Sequence, residues 1–233
     1  CLVGSEMCIR DSVQGIGEAS KYLNFPVVSG NVSFYNQTKE VGIKPTPSIG
    51  GVGLIKDYKK MISMDLKEID NLVLIIGKTE GHIDQSLFAR TILDEKNGPP
   101  PEVNLFNEKN NGETILNLID KGYVKSAHDI SLGGLLVAIS KMCIKGNKGI
   151  KINKSKNLIN EIEYFFAEDQ GRYLIEVNKE NLKEVTKILN KNSVHHEELG
   201  IITQNDMIIN EKTKVTIDEL KSYYTNWLSK YMS

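Results

Sequence analysis

Val124-Lys-Ser-Ala-His-Asp-Ile-Ser-Leu-Gly-Gly134 is the stretch that decides how this chain folds. Val124 to Ala127 reads as a short strand that runs into His128 and Asp129. Ser131 suits a helix N-cap, and Leu132, Leu135, Leu136, Ile139 and Cys143 recur at helical spacing. A strand that feeds a helix in this way is the repeating unit of an α/β domain. His128 and Asp129 then stand at the carboxyl end of a strand, where such sheets usually take their ligands. Asp129 suits a ligand-site role and a local turn-and-cap role equally well. His128, Asp129 and Ser131 do not make a hydrolase triad, because three residues within four positions do not reach one another in line.

On either side the same alternation continues. Leu72-Val-Leu-Ile-Ile-Gly77 is a continuous apolar run of the kind buried on both faces of a sheet. Gln85 to Leu93 reads as a short helix, with the lone His82 before it on the surface. Asn97-Gly-Pro-Pro-Pro101 is a loop. Gly112 to Gly122 is helical, with Ile115, Leu116, Leu118 and Ile119 inward and Gly122 just past the end. Ile150 to Ile152 reads as a strand and Asn153 to Asn160 as a solvated loop. Phe165-Phe-Ala-Glu-Asp-Gln-Gly-Arg172 is a polar turn leading into an alternating strand, Tyr173 to Val177. Its acids and amide suit either a metal or polar-substrate site, or a turn with a local ion pair. Asn181 to Asn190 is amphipathic. Leu199 to Thr203 is a strand, and the adjacent His195 and His196 point to opposite faces, which rules out a shared zinc. Met207 to Ile209 and Lys214 to Thr216 form a hairpin. The C-terminal stripe of Ile217, Leu220, Tyr224, Trp227, Leu228 and Tyr231 is expected in the core.

The N-terminal part differs. Val13 to Leu23 is a helix. Pro26-Val-Val-Ser-Gly-Asn-Val-Ser33 starts as an apolar strand and breaks into small polar residues. Gly30 lets a backbone N–H approach a ligand closely, and Asn31 offers a hard carbonyl oxygen of the kind Mg²⁺ accepts. An ordinary bulged strand fits these residues as well. Gln37 to Lys44 is a surface loop, and Pro45-Thr-Pro leads into Gly50-Gly-Val-Gly-Leu-Ile55, a strand whose glycines suit close packing. Asp57 to Asp70 reads as a linker. Cys1 to Ser12 is not a signal peptide, and is expected to be non-native or an internal piece of a longer protein.

The totals exclude several classes. A net charge of −1 argues against general nucleic-acid binding. No apolar run reaches membrane-spanning length. Three scattered cysteines are not a disulfide framework, so a reducing, cytoplasmic setting fits, with Cys143 a small core residue.

Taken in order, Ser29-Gly-Asn-Val-Ser-Phe-Tyr-Asn36, Pro45-Thr-Pro with Gly50 to Ile55, Ala127-His-Asp-Ile-Ser131 with Gly133-Gly-Leu135, and Glu168-Asp-Gln-Gly-Arg172 resemble the large subunit of phosphoribosylformylglycinamidine synthase. The resemblance implies a PurM-like α/β (α+β) chain. Residues 13–66 would be part of a ferredoxin-like ATP-binding domain, and 67–233 a complete α/β domain. It implies a ligase of purine biosynthesis that converts formylglycinamide ribonucleotide, with ATP and glutamine-derived ammonia, to the amidine. Its cofactors would be ATP and Mg²⁺, and its partners a PurQ-like glutaminase and a small PurS-like subunit. By motif, Gly30 would contact ATP, Asn31 a Mg²⁺ ion and Ser33 the substrate. By pseudo-symmetry between the family's two halves, Asp129, Glu168 and Gln170 would face a metal and a substrate. The family's catalytic residues lie in its N-terminal half, so none is expected here. Two readings stand beside this one: a nucleotide-binding half that is only structural, and a relative of the aminoimidazole ribonucleotide synthetase or selenophosphate synthetase type.

Overall fold

Apolar runs and amphipathic helices alternate along the chain, and the computed structural model folds them into two units, residues 1–56 and 57–233. It describes residues 3–31, 37–43, 46–153 and 160–232, with side chains from Ile9 onward.

In the first unit, helix α1 runs from Val3 to Tyr22, ten residues further toward the N-terminus than Val13. Asn24, at φ 54°, ends it. β1 (Gln37–Thr38) and β2 (Val41–Gly42) form a minimal hairpin where a loop was expected. The strands expected over Pro26 to Val28 and Val52 to Ile55 are not formed. Val28 and Leu54 are each 93% exposed. β-Branched residues favour a strand only when a partner strand and a packing face are present, and the described residues of this unit supply neither. Gly51 does pack closely, since a Cβ there would meet the Phe25 ring at 3.3 Å; Gly50 and Gly53 face open space.

The second unit contains β3 (Leu72–Ile76), α2 (Leu87–Thr91), α3 (Leu105–Asp120), β4 (Val124–Asp129), α4 (Gly134–Gly146), β5 (Gly149–Ile152) and α5 (Glu161–Phe166). These are followed by β6 (Tyr173–Val177), α6 (Leu182–Lys191), β7 (His196–Thr203), β8 (Asp206–Ile209), β9 (Thr213–Thr216) and α7 (Ile217–Met232). Seven strands form one sheet in the order β4-β6-β3-β7-β5-β8-β9. All neighbours are antiparallel except β5 and β8. β3 lies between β6 and β7 and is buried along its whole length, as its unbroken apolar run predicts. β6, expected to alternate, is buried from Leu174 to Val177, because helices cover both faces of the sheet.

Two cores result. Val73, Ile75, Leu174 and Ile202 meet Leu135, Ile139 and Met142 of α4 and Phe165 of α5 on one face. Leu74, Ile76, Ile175 and Val177 meet Ile115 and Leu118 of α3 and Val185 and Leu189 of α6 on the other. Each such side chain contributes about 1.5–3 kcal/mol of burial, so the second unit carries its own core. In the first unit the described side chains from Lys21 onward are all exposed.

Three local expectations shift. α3 starts at Leu105, capped by Asn104, and its Leu116 is exposed. The helix cap at α4 is Gly133, at φ 89°, not Ser131, which leaves Leu132 exposed before the helix. Of α7 only Ile217 is buried, with Leu220 half-buried; Trp227 is 60% and Tyr231 80% exposed. The linker region is held too. Ser63 bridges to Ser126 and Leu66 is buried.

Candidate functional site

The carboxyl ends of β3 and β4 and the turn before β6 meet on one edge of the sheet. β3 is followed by Gly77, whose φ of 92° lets the chain turn where a Cβ would strike the Gly171 carbonyl at 2.5 Å. The loop that follows folds over the Glu168 to Gly171 turn. Its three consecutive backbone N–H groups, of Glu80, Gly81 and His82, donate to the Asp169 carboxylate at 3.0, 3.2 and 3.0 Å. Arg172 is fully buried behind this turn. Its guanidinium donates to the carbonyls of Asp169 (3.3 Å) and Ala167 (2.5 Å) and to the Thr79 hydroxyl (3.1 Å), and lies 3.8 Å from the Asp169 carboxylate.

Glu168 joins three segments. Its Oε1 accepts from the backbone N–H of Leu87, which opens α2 (2.7 Å), and of Gly133, the cap of α4 (2.8 Å). Its own N–H donates to the His82 carbonyl at 3.1 Å. Asp129 stands at the end of β4, in register with Tyr173, and its side chain is over half exposed. His128 Nδ1 is 3.0 Å from its Oδ1. Burial would raise the Asp129 carboxyl, but the Ser131 hydroxyl and His128 outweigh it and hold the pKa below the usual carboxylate value. Burial lowers the pKa of His128 against the opposing pull of Asp129. Its Nε2 is buried without a hydrogen-bond partner among the described residues.

Beside this edge lies a cleft of about 580 Å³, walled by Lys78, by Glu80 to His82, by Pro101 and Glu102, by the α3 residues Asn107, Glu108 and Asn111, and by Asp169 to Gly171. Asn111 is buried and donates from Nδ2 to the Gly171 carbonyl at 2.9 Å. Burial raises the pKa of Glu108, partly offset by the Gly171 N–H. Of the residues singled out in the sequence, Gln170 and Asp169 line this cleft, whereas Glu168 and Asp129 are not among its lining residues. Asn104, Asn107 and Asn111 fall at helical spacing, a signal hidden by the expectation that the helix begins at Gly112.

Gly30 and Asn31 lie in exposed coil, and nothing approaches within 4 Å of a Cβ built on Gly30. Ser33 lies outside the described residues. The Asn31 amide oxygen is chemically suited to Mg²⁺, yet the described residues hold no group of three or more His, Cys, Asp or Glu placed to share an ion.

Residues 68–210 match the family model of AIR synthase related protein, C-terminal domain. The chain belongs to this family. Among AIR synthase related proteins, it is 68% identical over 222 residues to phosphoribosylformylglycinamidine synthase subunit PurL of Pelagibacter ubique. It is 39% identical over 221 residues to the protein of that name from Bartonella henselae. Both alignments cover 95% of this chain and 30% of the relative, so the chain spans about a third of the length of the curated relatives it matches. The fold is shared with Thermotoga maritima PurL complexed with FGAR, with a TM-score of 0.58 at 18% identity over 70% of this chain and 29% of the other. T. maritima PurL complexed with ATP gives 0.55 at 16% identity over 70% and 27%.

Proposed function

We propose that the chain is part of a phosphoribosylformylglycinamidine synthase subunit. The whole protein would be an ATP-dependent C–N ligase of purine biosynthesis, acting in the cytoplasm. It would convert formylglycinamide ribonucleotide and glutamine-derived ammonia to the amidine. The observation that carries this is the 68% identity to the P. ubique PurL across nearly the whole chain. Such catalysis rests mainly on positioning and charge neutralisation, and ATP with Mg²⁺ would supply the activating phosphoryl group.

Within that protein, residues 13–66 would complete an ATP-binding domain and residues 67–233 would form the adjoining α/β domain. Gly30 would present its backbone to ATP, Asn31 its amide oxygen to Mg²⁺, and Ser33 its hydroxyl to the substrate. Asp129 and Gln170 keep side-chain atoms accessible at the sheet edge and would face ligand. Glu168 would hold the loops that carry them. A PurQ-like glutaminase and a PurS-like small subunit would be its partners. A second reading, a nucleotide-binding half with no turnover of its own, is favoured by one feature: the Glu168 and Asp169 carboxylates are occupied by backbone N–H groups.

The test is to replace Asn31 and Ser33 by Ala in a full-length parent and measure ATP-dependent amidine formation with ammonia. Loss of turnover with the fold intact supports the catalytic reading. Unchanged turnover with weakened nucleotide binding supports the structural one.

A further inference from the structure

The apolar stripe of α7 is core only at its start. Ile217 is buried and Leu220 half-buried against the cluster that holds α4 to the sheet. Beyond them, Tyr223, Tyr224, Trp227, Leu228, Tyr231 and Met232 are all between 47% and 80% exposed. At helical spacing these six fall within one half of the helix surface. With about 150–250 Å² for each fully presented aromatic side chain, the exposed stripe comes to on the order of 800 Å². That is above the largest apolar patch of an ordinary monomer, about 300–600 Å². It equals the roughly 800 Å² that one partner brings to a standard interface.

Spacing and charge decide what covers it. Leu220, Tyr224, Trp227 and Tyr231 alternate steps of four and three residues, the seam into which a second helix packs. Ser222 to Ser229 contains no charged residue. A two-fold contact sets a face against itself, so every charge on that face meets its own like; this face has none to meet. Lys221, the nearest charge on the N-terminal side, donates to Asn147 Oδ1 at 2.6 Å, at the end of α4. An antiparallel crossing between Trp227 and Leu228 places Tyr224 of one copy opposite Tyr231 of the other, and Trp227 opposite Leu228. The polar face of α7 carries Asp218 and Glu219 with hydroxyls and an amide, not the lysine-rich and arginine-rich face of a membrane-surface helix.

We propose that α7 pairs with α7 of a second copy of this chain, antiparallel about a two-fold axis beside Trp227. The stripe then forms a core between chains. The proposal is independent of the synthase reading.

The test is sedimentation velocity on the 233-residue chain from about 1 to 100 µM, a range that reads micromolar affinity. The expected result is a concentration-dependent species of twice the 26.1 kDa chain mass. Trp227 is the single tryptophan, so its emission should shift to the blue over the same range. Trp227→Glu and Tyr231→Glu, at exposed positions, should each weaken the dimer by at least about tenfold, as expected for a central aromatic anchor. Leu116→Glu, at an exposed position on α3 over the opposite face of the sheet, should leave it unchanged. Trp227→Lys should also dissociate it, and an equal mixture of Trp227→Lys and Trp227→Glu should associate again. The proposal is overturned if the chain stays monomeric throughout, if Leu116→Glu weakens the dimer as much as Trp227→Glu, or if the mixture stays monomeric. It is also overturned if the emission shifts on adding phosphatidylglycerol vesicles and not with concentration.

Discussion

Glu176 provides the sharpest test of how the second unit is held together. It lies in the middle of β6, fully buried. Its Oε2 accepts from the backbone N–H of Lys67 at 2.8 Å and from the Ser126 hydroxyl at 2.9 Å. Its Oε1 accepts from the backbone N–H of Glu68 at 3.0 Å and from Asn71 Nδ2 at 2.7 Å. Four donors thus converge on one carboxylate, which fastens residues 67–71 to the sheet. Glu176→Gln keeps the shape but turns one acceptor into a donor. In the better orientation the amide nitrogen faces Ser126, whose hydroxyl rotates to accept, and only the Lys67 N–H is left opposed. A hydrogen bond to a charged group is worth about 1.5–3 kcal/mol, and a buried donor left unsatisfied costs about 1–3 kcal/mol. The expected loss is therefore about 2–4 kcal/mol. With a urea m-value of about 2–3 kcal/mol/M, the unfolding midpoint should fall by about 0.7–2 M. Hydrogen exchange should localise the damage, with the Lys67 and Glu68 amides losing protection before those of β3. A Glu176→Gln protein within about 0.5 kcal/mol of the parent, the range of ordinary surface changes, would refute the fastening role.

Other consequences are independent of that network. Arg172→Lys removes a fork that reaches the Asp169 and Ala167 carbonyls and the Thr79 hydroxyl. An ammonium cannot span these, so denaturant unfolding should show a loss of about 2–4 kcal/mol. His128 has its folded pKa depressed by burial, so the unfolded chain takes up the proton first as the pH falls. Stability is intact above the unfolded value near 6.5 and declines as the pH drops through it toward the lower folded value. Midpoints measured from pH 8 to pH 5 should show this slope, and His128→Gln should flatten it. Burial pushes the Cys143 thiol up to about 12, so a thiol reagent at pH 8 should label this residue only after unfolding.

The sequence made the second unit legible where chemistry is local. The apolar run of β3, the strand into His128 and Asp129, and the Leu135-Ile139-Cys143 face of α4 all stand where spacing puts them. Legibility failed where structure depends on distant partners. Val27, Val28, Val52 and Leu54 have strand propensity, but no described neighbour pairs with them, and they lie exposed. The stripe on α7 reads as core by periodicity, yet only its first turn meets α4 and the sheet. At the site, the acids of the Glu168 to Gly171 turn suggested ligand chemistry. Nothing local announces that three amides about ninety residues away in sequence bind Asp169, or that the Leu87 and Gly133 amides bind Glu168. The α3 wall of the cleft was hidden by one misplaced helix start.

The central claim, that this chain belongs to an ATP-dependent amidine-forming synthase subunit, is tested by exchange. Residues 13–233 would replace the matching segment of the P. ubique PurL, to which the chain is 68% identical. Amidine formation would then be measured with ATP, Mg²⁺, formylglycinamide ribonucleotide and ammonia. The account predicts a folded chimera with turnover within about tenfold of the parent, equivalent to about 1.4 kcal/mol of barrier. A folded, monodisperse chimera that binds nucleotide but forms no amidine would contradict it.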